Sequence, residues 1–316
     1  MRHFFKTSTL VLATFLLTVS CNKDDNEADI TGESYNTTFK ITDAPIDNAN
    51  VEGVFVTITD VKVDGKSLEG FTTTTVNLAA LVNGQTATLG NLDLAARSYS
   101  NIELVLDFET DADGQSPGCY VAMANGAKDQ ITAATNRISV TDSFEVFASN
   151  VNEVIIDFDL RKTIKEEQGT MGSDFEFVSM SELSAGIRAV NEETTGEING
   201  TANDAENTSD RIVVYAYEEG TFDAETETNG QGDSNVTFKN AVTSSVVNSL
   251  NGSYNLSFLE EGNYELVFAS YNKDGDVFYF NALLEAESTT GLNLGSISVT
   301  SALQISANVT ISGTRQ

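Results

Sequence analysis

Val54-Phe-Val-Thr-Ile-Thr-Asp-Val-Lys-Val63 is the stretch whose reading decides the fold class. Val54, Val56 and Ile58 alternate with Phe55 and Thr57, and Val61 and Val63 resume the alternation with the opposite parity. A strand sends successive side chains to opposite faces, so its period of two changes phase only where a residue is inserted. A β-bulge is therefore predicted at Thr59-Asp60, followed by a tight hairpin turn at Asp64-Gly65.

Working outward, the same period recurs. Phe39 and Ile41 alternate with Thr38, Lys40 and Thr42 before a turn at Asp43-Ala-Pro-Ile-Asp-Asn48. Ile102, Leu104, Leu106 and Phe108 share one face of a strand, and Val154, Ile156, Phe158 and Leu160 share one face of another. Phe175 and Phe177 are read as the start of a further strand, and Ile187 and Ala189 as the close of the block. Val76-Asn-Leu-Ala-Ala-Leu-Val82, closed by Asn83-Gly84, is too short to separate a helical turn from a strand. No long helical period occurs, so residues 36–190 read as an all-β sandwich domain.

A polar stretch, Asn191-Glu-Glu-Thr-Thr-Gly196, leads into a second block of strands, residues 191–316. Ile212-Val-Val-Tyr-Ala-Tyr217 precedes an acidic, Gly-containing loop from Glu218 to Ser234. Tyr254, Leu256 and Phe258, then Tyr264, Leu266 and Phe268, alternate on either side of Leu259-Glu-Glu-Gly262 and predict a β-hairpin. Phe278, Phe280 and Ala282, and later Ile305, Val309 and Ile311, continue the pattern. The expected architecture is two β-sandwich domains behind a signal peptide and a short disordered tether.

That signal occupies residues 1–20. Arg2 and Lys6 precede the apolar run Leu10-Val-Leu-Ala-Thr-Phe-Leu-Leu17, and Thr18-Val-Ser20 lead to Cys21. The run is shorter than the ~20 residues a membrane span needs. The segment resembles the lipobox of bacterial lipoproteins, with Thr18 where Leu is usual, which implies a lipid on Cys21 and anchoring to the membrane through that lipid. Residues 21–35 then read as a lipidated cysteine and an acidic spacer. Lys23, Asp24 and Asp25 resemble the surface-export signal of Bacteroidetes lipoproteins, implying an outer-membrane protein that faces the cell exterior.

Two further resemblances sit in the body of the chain. Phe39-Lys-Ile-Thr-Asp-Ala-Pro45, Val54 to Val63, Val76 to Gly84, Tyr99-Ser-Asn-Ile-Glu-Leu104 and Val154 to Ile164 resemble, in that order, the domain of unknown function 4382 family. That family occurs in exported bacterial and archaeal proteins and has no established activity. The Gly196-x-Ile-x-Gly200 opening, with Gly252-x-Tyr254 and Gly262-x-Tyr264, resembles carboxypeptidase regulatory-like, transthyretin-like sandwiches, which implies a non-catalytic accessory module.

Composition narrows the chemistry. With 17 Lys+Arg against 47 Asp+Glu, the formal charge is −30, and removal of the signal takes two bases and no acid with it. Such a field repels phosphate backbones, so no nucleic-acid partner is expected. His3 is the one histidine and leaves with the signal, which excludes Ser-His-Asp and Cys-His sites and His-bearing zinc sites from the mature chain. After acylation of Cys21, Cys119 is the one thiol, and it reads as a small buried hydrophobe.

No catalytic residue is assigned. Asp157 and Asp159 are two apart, which on one strand puts their carboxylates on one face about 7 Å apart, a spacing suited to acid/base work. The alternative is an outer, solvated face answered by Arg161 and Lys162 or by bases on a neighbouring strand. Asp111 and Asp113 in one loop, and Asp274 and Asp276 in another, carry oxygen ligands suited to calcium, but neither loop completes a twelve-position site, so no metal or other cofactor is assigned. Three functions are expected, in order: a non-catalytic surface module for a glycan, protein or envelope component; a structural accessory subunit of an envelope machine; a hydrolase using Asp157 and Asp159. With no Trp, a glycan platform would fall to Tyr215, Tyr217, Tyr271 and Tyr279.

Overall fold

The computed structural model describes residues 32–44, 51–149, 151–169, 172–204, 209–275 and 277–315. Cys21, Lys23, Asp24, Asp25 and Asp276 lie outside them. Glu33–Gln316 form one compact unit, and its architecture is all-β, in two sandwiches.

The strand Val51–Val63 is the spine of the first sandwich. It pairs with Ile102–Asp107, Tyr120–Met123, Thr74–Asn77 and Lys66–Ser67. Its register against Ile102–Asp107 slips between Ile58 and Asp60, so Thr59 is the extra residue of the predicted bulge. The slip explains how Val54, Val56, Ile58, Val61 and Val63 are all buried in spite of their change of parity. Asp64 and Gly65 both take positive φ, 48° and 78°, and close the hairpin on the pair Val63 and Lys66.

The facing sheet runs Ile187–Asn191, Asn152–Phe158, Ser34–Thr42, Ala87–Ala95. Ser34–Thr42 and Asn152–Phe158 are parallel. The central pairing puts Val154 to Phe158 out of solvent on both faces, which is why that stretch reads as a near-continuous apolar run interrupted by Asp157. Val76–Val82 resolves into both alternatives, the strand Thr74–Asn77 and a 3-10 turn Leu78–Ala80. Phe175 and Phe177 end the strand Gly172–Phe177 rather than beginning one.

The second sandwich is a single hydrogen-bonded path folded over on itself. Thr243–Val246, Arg211–Glu218, Gly262–Asp274 and Val277–Ser288 form one side; Val309–Thr314, Thr195–Asp204 and Ser253–Glu260 form the other. Val277–Ser288 serves both, pairing with Gly262–Asp274 up to Leu283 and with Val309–Thr314 from Leu284. The predicted hairpin of residues 254–268 is corrected here. Ser253–Glu260 pairs with Thr195–Asp204, whereas Gly262–Asp274 pairs with Arg211–Glu218 and Val277–Ser288. The chain arches across the core at Glu261, so Tyr254 and Leu256 meet Tyr264, Leu266 and Phe268 from opposite sheets. Phe258 does not share the face of Tyr254 and Leu256. Its φ is 56°, and the register slips beside it, between Gly196 and Ile198.

A second apolar cluster covers the outside of this sheet. Val213, Tyr215 and Tyr217 with Val267, Ala269 and Tyr271 are roofed by Phe238 and Ala241 from the loop after Arg211–Glu218. Burial on both faces accounts for the unbroken run Ile212 to Tyr217.

Gly200 shows why the second block opens as it does. A Cβ there would lie 2.2 Å from the Ala307 carbonyl oxygen, where the backbone of the neighbouring segment passes. Gly200→Ala is expected to cost about 3 kcal/mol, the upper range for forcing a methyl into a packed site, read as a lower denaturant midpoint at unchanged slope.

Candidate functional site

The two carboxylates that the sequence offers as an acid/base pair lie at the end of Asn152–Phe158. Asp157 still belongs to the strand and faces Arg188 across the antiparallel register. Arg188 donates to Asp157 Oδ2 from Nε at 2.8 Å, with Nη2 at 2.7 Å from the same oxygen. Asp159 has left the strand, with φ −61° and ψ 97°, and caps the short helix Leu160–Thr163 by accepting from the Arg161 amide at 3.1 Å. Its Oδ2 accepts from Arg161 Nη2 at 2.7 Å and lies 3.4 Å from Lys162 Nζ. Both carboxylates are buried. A solvated outer face is thus corrected to a buried one, and a shared strand face to two positions on different elements. The bases expected to answer them, Arg161, Lys162 and a residue of a neighbouring strand, are the ones found.

A third carboxyl joins the group. Asp43 Oδ1 accepts from the Leu160 amide at 3.0 Å, at the start of the same helix, and Oδ2 has no hydrogen-bond partner among the described residues. Three acids and three cations are packed together within the first sandwich.

The cations also reach outward. Arg161 Nη1 donates to the main-chain carbonyls of Phe238 at 2.7 Å and Thr237 at 3.3 Å, and the guanidinium lies 5.2 Å from the Tyr215 ring centroid. Lys162 Nζ donates to Ala241 O at 2.6 Å, and Arg188 Nη1 to Phe258 O at 2.7 Å. All four carbonyls belong to the second sandwich. Glu182 adds a contact by accepting from Ser234 Oγ at 2.8 Å, and Ser245 donates to Asn83 Oδ1 at 3.0 Å.

Electrostatics shifts Asp159 and Asp43 in opposite directions. Burial alone would raise the Asp159 pKa, but the charges of Arg161 and Lys162 outweigh it and hold the group below the ordinary range, hence ionised. Lys162 is shifted down, mainly by burial. Asp43 is pushed well above the usual value by burial, opposed by the Leu160 amide and reinforced by the charges of Asp159 and Asp157. General acid/base work needs a group that exchanges protons with a substrate within hydrogen-bond reach. In Asp157 and Asp159 the Oδ2 atom is instead paired with fixed cations, and Asp159 Oδ1 accepts from the Arg161 amide.

The loop that carries Asp111 and Asp113 is organised by its own backbone. Asp111 Oδ1 accepts from the amides of Asp113 at 3.0 Å and Gln115 at 2.7 Å, and Asp107 accepts from the amides of Glu109 and Thr110. Asp274 is exposed beside the turn at Gly275. Among the described residues no three His, Cys, Asp or Glu side chains gather as a metal site would require. Cys119 is buried, its Sγ within 3.2 Å of the Asp107 carbonyl, and burial pushes its thiol up to about 12.

The proposed tyrosine platform does not form. Tyr215 and Tyr271 meet hydroxyl to hydroxyl at 2.5 Å inside the second cluster, and Tyr217 donates to Glu227 at 2.8 Å. All three are buried; Tyr279, at 56% exposure, alone of the four presents a ring to solvent. Arg188, 31 residues from Asp157, and Asp43 are site residues that the sequence left unassigned. The signal that points to Arg188 is its place on the edge strand of the same sheet.

The fold and site define an all-β protein of two sandwiches joined through a buried ionic cluster. Residues 36–174 match the family model described as Domain of unknown function (DUF4382). No curated protein matches the chain significantly. Solved structures with some likeness include the Bacillus anthracis TIE protein, at 13% identity over 88% of this chain and 34% of that one, with a TM-score of 0.19. Another is a leucine-rich repeat protein from Bacteroides thetaiotaomicron, at 8% identity, 87% and 26% coverage and a TM-score of 0.21. A third is GBS52, the minor pilin of Streptococcus agalactiae, at 12% identity, 89% and 98% coverage and a TM-score of 0.20. The chain spans about a third of the first of these proteins and about a quarter of the second.

Three outcomes are expected. Asp159→Asn removes the charge that compensates Arg161 and Lys162 and should lower stability by about 3–5 kcal/mol in denaturant unfolding. For Asp43, a raised pKa means the fold prefers the protonated acid. Its contribution is full below the ordinary value of 3.8 and is lost as pH climbs through the raised one. Asp43→Asn should therefore unfold at a higher midpoint than the native chain at neutral pH, and the difference should vanish near pH 3. The Cys119 thiol should resist alkylation at pH 8 in native protein and react once the chain is unfolded.

Proposed function

We propose that the protein is an outer-membrane lipoprotein, anchored through Cys21 and facing the cell exterior, that works as a non-catalytic binding module. The observation that carries the non-catalytic reading is the ion pairing of Asp157 and Asp159. The residue pair best spaced for hydrolysis is committed to Arg188, Arg161 and Lys162. Burial of Tyr215, Tyr217 and Tyr271 removes most of the aromatic surface a sugar ring would stack on, so a protein or other envelope component fits better than a glycan. The resemblance of residues 191–316 to carboxypeptidase regulatory-like sandwiches supports an accessory role, and the polar ties between the sandwiches suit a rigid part of a larger envelope assembly as the second reading. Among the described residues no helix is long and apolar enough to cross a membrane. In this reading the membrane partner is the lipid alone.

The anchor and orientation are tested together. Cys21→Ser should abolish incorporation of labelled palmitate. External protease added to intact cells should digest the native protein, while Lys23→Ala, Asp24→Ala, Asp25→Ala protein should stay shielded until lysis. A native protein shielded on intact cells contradicts surface display. A hydrolytic activity lost in Asp157→Asn protein of unchanged melting temperature contradicts the non-catalytic reading.

A further inference from the structure

Each sandwich has its own apolar core. One cluster draws its buried residues from Phe39 to Ala189, and the two others draw theirs from Ile198 to Ile311. No buried apolar cluster of the described residues spans the junction, so what holds the sandwiches together there is polar. Interfaces between domains of one chain are commonly of this kind and permit relative motion unless something fixes them.

We infer that the two sandwiches are separate folding bodies locked in one orientation by a polar latch. Arg161, Lys162 and Arg188 each hold a carboxylate of the first sandwich with one part of the head group and main-chain carbonyls of the second with another. The division of labour is physical. Asp157 and Asp159 fix where the three cations point, because a buried carboxylate and a guanidinium or ammonium hold each other in direction as well as in charge. The cations then bind carbonyls of Thr237, Phe238, Ala241 and Phe258, main-chain groups of the second sandwich. Three of those carbonyls lie in the loop that also roofs the outer aromatic cluster, and that loop is tied to its own sandwich by Phe238 and Ala241. Pulling on the latch therefore moves the second sandwich as a whole.

The pivot is narrower than the polar stretch suggests. Asn191 is fixed to the first sandwich through Asn152 and the Glu145 carbonyl, and Thr195 is already paired in the second with Glu260. Glu192–Thr194, a single 3-10 turn, is left between them.

The test uses the full mature chain. In one variant Arg161→Gln, Lys162→Met and Arg188→Gln are combined with Asp157→Asn and Asp159→Asn, so that both sides of each of these ion pairs are neutralised together. Native protein should resist limited proteolysis at 192–194. The variant should be cut there at least tenfold faster and yield two fragments that resist further digestion, with strand amides in both sandwiches keeping their hydrogen-exchange protection. Equal cleavage rates would mean that these side chains do not lock the junction. Loss of protection throughout both sandwiches would mean that the cluster belongs to the cores. Either result overturns the latch.

Discussion

Sharing of each cation between a carboxylate at its own strand end and a carbonyl across the junction is the constraint on which the arrangement of the molecule depends. A charge is costly to bury alone, and a carboxylate with a cation in good geometry offsets that cost only when the remaining donors are also satisfied. Here Arg161 Nη1, Lys162 Nζ and Arg188 Nη1 donate to main-chain oxygens of the second sandwich. Breaking the junction would leave them facing an emptied interface, so the need to satisfy buried polar groups favours keeping the sandwiches together.

The same constraint fixes what the site can do. Asp159 is at once a helix cap, an ion-pair partner of Arg161 and a neighbour of Lys162. A carboxylate engaged in that many interactions is held ionised, and its geometry is set by the fold rather than by a substrate. Asp43, in the same cluster, has its pKa pushed well up by burial, with the charges of Asp159 and Asp157 adding to the shift. The cluster is a buried ionic network in which the two aspartates, two apart in sequence, answer different cations.

How much was legible depends on what each pattern reports. Alternation reports which side of a strand is buried, so Val54 to Val63 revealed its bulge, and Asp64-Gly65 its turn. Alternation does not report the partner strand. Tyr254 to Phe268 reads alike whether the chain returns beside itself or crosses to the opposite sheet, and it crosses. The tyrosines failed for a related reason. The sheet's outer face would have exposed Tyr215 and Tyr217 had Phe238 and Ala241, more than 20 residues on, not folded over them.

The order of residues by itself determined the all-β class, the bulged strand Val54 to Val63 and the candidate cations beside Asp159, because these follow from local periodicity and spacing. Tertiary structure alone decided that Asp157 answers Arg188, that both aspartates are buried, and that three basic side chains bridge two separate cores. Those outcomes depend on contacts between residues 31 to 79 positions apart. Local patterns carry no record of such distances, since a period of two reports which face of a strand is buried and not which distant residue meets it.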